Sequence, residues 1–80
     1  MLPEGYRELI EAVFTSWQQR LSQCLRDGQA QGEVASTVDC DELAAFFWIG
    51  WEGAVLRARL VRSDAPLTVF ACGFLRSLAG

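Results

Sequence analysis

The sequence predicts an all-α protein of three helices, and two observations carry that expectation. Apolar residues recur at steps of three and four through nearly all of its 80 residues. Only two short segments, 32–39 and 63–66, interrupt the pattern, each rich in capping or helix-breaking residues. The predicted helices cover about residues 4–31, 40–62 and 66–78.

In the first, Leu9, Ile10, Val13, Phe14, Trp17, Leu21, Cys24 and Leu25 form the repeating apolar set, with Arg7, Glu11, Gln18 and Arg26 between them. Pro3 suits the first helical position, Glu4 and Glu8 the positive end of the helix dipole, and Arg20 and Arg26 the negative end. Gly28 and Gly32 each offer a stop, and Gly32 is favoured because Gln29-Ala30-Gln31 can continue the helix. Gly32 to Asp39 then reads as loop. Asp39 can cap the next helix, with Glu42 reaching back as a capping box.

The second helix is the most apolar stretch and is apolar on too many sides. At 100° per residue, Leu43, Phe46, Phe47, Gly50, Ala54, Ala58 and Val61 make one stripe, flanked by Trp48, Trp51, Val55 and Leu56. The residues left over supply only about two more helices of cover. Ser63-Asp-Ala-Pro66 ends the second helix, and Pro66 opens a third with Leu67, Phe70, Ala71, Phe74 and Leu78 on one face. That helix too is apolar on more than one side. Together they predict a four-helix dimer interface, two helices from each of two copies.

Small residues support the pairing. Gly50, Gly53, Ala54 and Ala58 lie three and four apart and lower the side-chain barrier to a neighbouring helix. Glycine inside a helix costs up to about 1 kcal/mol against alanine, so two of them require close packing or a bend. Packing of a kinked helix within its own chain is the alternative.

Composition sets the outer bounds. A chain of 80 residues makes one domain and leaves a large share of its surface exposed. The net charge of −3 and the lack of any Lys/Arg cluster argue against nucleic-acid binding by these residues. A membrane span is a poor reading of the second helix, because Glu52, Arg57 and Arg59 would each cost about 2.5 to 3.5 kcal/mol at bilayer depth. The absence of histidine removes the commonest metal ligand and general base, and no cofactor, metal site or catalytic set is expected. Cys24, Cys40 and Cys72 lack a CxxC pair, which points to a reducing, cytoplasmic setting, and no signal peptide is evident at Met1-Leu-Pro-Glu-Gly5.

Several segments resemble the C-terminal regulatory domain of TetR-family transcriptional regulators: Trp17 with Leu21 and Leu25, Gly28-Gln-Ala-Gln-Gly-Glu33, the Asp39 helix start, Phe47-Trp-Ile-Gly-Trp-Glu-Gly-Ala-Val-Leu-Arg-Ala-Arg59, and Arg62-Ser-Asp-Ala-Pro-Leu67. The likeness extends to the branch that includes the N-ethylmaleimide-responsive repressor. It covers nearly the whole chain, and order and spacing carry it more than any one residue. The resemblance implies a domain whose last two helices pair with those of a second subunit and whose earlier helices enclose an effector pocket. It also implies that DNA is bound only through an N-terminal helix-turn-helix domain, which these residues lack.

On that basis the expected interface comprises Phe46, Phe47, Gly50, Ala54, Arg57, Ala58, Val61, Phe70 and Phe74. The expected pocket for a small apolar effector comprises Phe14, Trp17, Trp48, Trp51 and Glu52. Plain core packing is the ordinary alternative for the aromatic residues, and exposure or a contact with Arg59 across the two-fold axis for Glu52. Cys40 lies at a helix start, but Asp39 and Asp41 oppose a thiolate there, and Cys24 and Cys72 are expected to be inert. The expected function is dimerisation and effector sensing in a bacterial repressor. A helical adaptor that takes a partner's helix in the Gly50/Ala54/Ala58 groove is the alternative.

Overall fold

The computed structural model describes residues 4–80. Helix α1 spans Glu4–Ala30, α2 Cys40–Val61 and α3 Ala65–Ser77, so each described bound falls within one residue of expectation. The expected role of Pro3 lies outside the described residues.

The termini follow from local chemistry. Gly32 takes the left-handed conformation (φ +80°), which only glycine adopts without a steric cost. The Glu33 N–H donates to the Gly28 carbonyl at 2.8 Å and the Gly32 N–H to the Gln29 carbonyl at 3.1 Å, the paired bonds of a Schellman stop. Asp39 accepts from the Glu42 N–H at 3.0 Å. The reciprocal half of the expected capping box, from the Glu42 carboxylate to the Asp39 N–H, is not formed. Arg62 closes α2 at φ 54°, its N–H bonded to the Ala58 carbonyl. Pro66 sits one position further into α3 than expected, because Ala65 begins that helix with its N–H donated to Ser63 Oγ at 3.1 Å.

Helix α2 lies between the other two and packs against both. The molecule measures 44 × 32 × 13 Å. Its smallest dimension is close to the diameter of a single helix, so the chain forms one layer where a stable domain ordinarily has two. The buried cluster is correspondingly small: Leu25, Val34, Cys40 and Ala44, surrounded by Leu21, Val38, Leu43, Phe74 and Leu78.

This cluster forms where the 31–39 loop folds back over the helices. Gly28 makes room for Val34, since a β-carbon there would come within 2.8 Å of Val34 Cγ2. Gln29 Nε2 donates to the carbonyls of Ala35 and Val38 at 3.0 and 2.8 Å, and the Ala35 N–H donates to the Leu78 carbonyl at 2.8 Å. A polar clamp joins α1 to the start of α2. The buried Ser22 hydroxyl donates to Asp41 Oδ1, while Arg26 Nη1 donates to Ser22 Oγ at 2.9 Å and to Asp41 Oδ1 at 3.0 Å.

The most buried residues of α2 are Cys40 and Ala44, which join Leu25 of α1 in the core cluster with Leu43 packed beside them. The close approach at Gly50 is made within the chain, because the Phe70 ring lies over it where a β-carbon would stand, 2.9 Å from Phe70 Cζ. A β-carbon at Gly53 would meet no neighbouring side chain or other helix within 4 Å.

Candidate functional site

Two concave surfaces share α2. The first lies between α1 and α2 and is an open recess of about 380 Å³ lined by Phe14, Trp17, Trp48, Trp51, Glu52 and Val55. All five residues expected at an effector pocket meet here, and Val55 was the one not foreseen. Phe14 and Trp17 face across from α1 because they sit three apart on it. Trp48, Trp51, Glu52 and Val55 do the same along α2. The rings make a continuous series, with centroids 5.7 Å apart for Phe14 and Trp17 and 5.0 Å for Trp17 and Trp48. Trp48 Nε1 is covered and has no hydrogen-bond partner among the described residues. Packing against Trp17 therefore sets the orientation of this indole, at the cost of one desolvated donor. Glu52 is exposed and forms no ion pair among the described residues.

The second surface is a groove of about 620 Å³ between α2 and α3. Gly50, Ala54, Arg57, Val61 and Phe70 of the expected interface line it, together with Gly53, Ala65, Pro66 and Val69. The remaining expected interface residues are placed elsewhere. Phe47 and Phe74 pack against each other inside the chain, centroids 4.7 Å apart, and both contact Phe70. Ala58 lines a separate shallow hollow with Arg59, Arg62 and Leu67. Phe46 is mostly exposed, with its ring 6.3 Å from that of Phe70.

Sequence reasoning missed a second apolar stripe on α2. Ile49, Leu56 and Leu60 are 69, 62 and 76 % exposed, and on α3 Val69 is 73 % exposed. The signal was present, because Ile49, Gly53, Leu56 and Leu60 recur at steps of three and four. It was hidden by the equally apolar stripe beside it.

The thiols divide by burial. Cys40 is buried in the core cluster, while Cys24 and Cys72 are exposed and therefore accessible to reagents. Among the described residues no group of His, Cys, Asp and Glu could hold a metal ion, and no helix is long and apolar enough to cross a membrane.

Residues 1–74 match the family model described as "Tetracyclin repressor-like, C-terminal domain". The chain is 45% identical over 75 residues to the transcriptional regulator AcuR of Cereibacter sphaeroides, covering 94% of this chain and 34% of that protein. It is 33% identical over 69 residues to the HTH-type transcriptional repressor DhaR of a Mycobacterium species, covering 86% and 35%. A crystal structure of a regulatory protein TetR from Rhodobacter sphaeroides superposes with a TM-score of 0.92 at 44% identity, over 98% of this chain and 41% of that one. The chain thus spans about a third of the length of the curated relatives it matches. A three-helix layer of this shape, matched along nearly its full length, belongs to the C-terminal domain family of the TetR-like transcriptional regulators.

Proposed function

We propose that this chain is the dimerising and effector-sensing part of a TetR-type repressor. A second copy covers the groove between α2 and α3, and a small molecule occupies the recess between α1 and α2. The observation that carries the reading is the single-layer architecture. The chain exposes 6177 Å², against about 4,800 Å² for a typical folded monomer of 8.9 kDa. The excess exceeds the roughly 800 Å² that one partner contributes to a standard interface. The exposed large apolar side chains include Phe46, Ile49, Leu56 and Leu60 on α2 and Val69 on α3, with Tyr6 and Leu9 on α1.

The mechanism follows from α2 belonging to both surfaces. A ligand wedged against Trp48 and Trp51 changes the angle between α1 and α2. Because the groove is built on the same helix, that change alters the tilt of one copy against the other. In a full-length regulator such a tilt sets the spacing of the DNA-reading heads, a task assigned to the part of these regulators outside the three helices described. The reading assigns the chain a regulatory role, in keeping with the transcriptional regulators it is similar to.

Sedimentation velocity over a wide dilution series tests the proposal. A dimer that persists on dilution is expected. A chain that is folded and monomeric throughout would overturn the reading and favour an adaptor that receives a partner's helix.

A further inference from the structure

We infer that the recess between α1 and α2 takes a small organic cation whose positive centre is alkylated, of the quaternary-ammonium kind. The inference rests on the effector-sensing reading and adds the chemical class of the ligand. Four aromatic side chains, Phe14, Trp17, Trp48 and Trp51, line the recess with Val55 and a single carboxylate, Glu52. Aromatic faces carry partial negative charge and attract cations, most strongly when the ring is an indole. Every tryptophan of the chain is in this one recess.

The charge of its lining is equally one-sided. No basic side chain lines the recess. Of the arginines on the same stretch of α2, Arg57 lines the α2–α3 groove, while Arg59 and Arg62 line the adjoining shallow hollow, which shares Val55 with the recess. An anionic ligand would lie against Glu52 and the ring faces, with Arg59 in the adjoining hollow and outside the recess lining. A neutral apolar ligand would fit but would leave Glu52 without a role. A bare ammonium would have to give up a strongly held water shell. An alkylated cation is weakly hydrated and carries an apolar skin, so it satisfies the rings and the carboxylate at once.

The volume agrees, since about 380 Å³ admits a molecule of choline's size with room for a further substituent. Its open side leaves Glu52 exposed at the rim, where a carboxylate can pair with a charge held against the rings.

Choline and its neutral isostere 3,3-dimethylbutan-1-ol, titrated into the 80-residue chain, test the inference. The three tryptophans report occupancy of the recess through their own fluorescence. Choline is expected to bind at least about threefold more tightly than the alcohol. Glu52→Gln, with helicity checked by circular dichroism, is expected to cut that ratio at least by half. Equal binding of the two probes, or a ratio unmoved by Glu52→Gln, would overturn the cation inference while leaving the recess as an apolar ligand site. If neither probe alters the fluorescence at any concentration up to the molar range, both the inference and the effector-sensing reading of the recess fail.

Discussion

Asp41 shows how a single exposed carboxylate can tie two helices together. The Ser22 hydroxyl, and after it the Arg26 guanidinium, hold its carboxyl below the usual aspartate range. With the folded value depressed, the contribution to stability is present above the ordinary value of about 3.9 and is lost as the pH falls through the lower folded value. Asp41→Asn should therefore lower the melting temperature at neutral pH and flatten its fall on acidification, measured by circular dichroism from pH 7 to about pH 3. An acid limb identical to that of the parent would show that the clamp contributes nothing. The clamp also marks a limit on sequence reading. Ser22, Arg26 and Asp41 are ordinary surface residue types, the first and last 19 positions apart. Only the crossing of α1 over the start of α2 makes them partners.

The glycines of α2 give the clearest test among the elements. Gly50→Ala gains up to about 1 kcal/mol of helix propensity but forces a methyl group into the Phe70 ring, an overpacking that costs about 1–3 kcal/mol. Net destabilisation is expected in urea unfolding. Gly53 faces open space, so Gly53→Ala should raise the stability of the isolated chain by up to about 1 kcal/mol. The opposite order would mean that α3 does not sit as described. Helix bounds and the recess residues were legible in the sequence because caps, prolines and aromatic spacing are local signals. Which side of α2 turns inward was not. Apolar residues surround that helix almost completely, so periodicity gives several near-equal faces, and tertiary contact with α1 settles the choice at Ala44. The same ambiguity hid Ile49 and Leu60, while Phe47 and Phe74, expected at the interface, also pack against each other within the chain.

For the whole molecule the governing fact is that one layer of helices cannot cover its own apolar surface. Ala54 is half-buried on the floor of the α2–α3 groove. Ala54→Glu should place an unpaired charge in the contact between copies and raise the dimer dissociation constant at least about thirtyfold, read by sedimentation. A dimer of undiminished affinity would move the interface off this groove. The arrangement of the layer also has a consequence for how it opens. Since the front half of α1 lies away from the Leu25–Ala44 cluster, with Tyr6 and Leu9 exposed, it can detach while the α2–α3 pair stays intact. Backbone amides in the first three turns of α1 should then trade protons for deuterons well before those at the Cys40–Ala44 end of α2. The slowest-exchanging amides will mark the region that holds the three rods in one sheet.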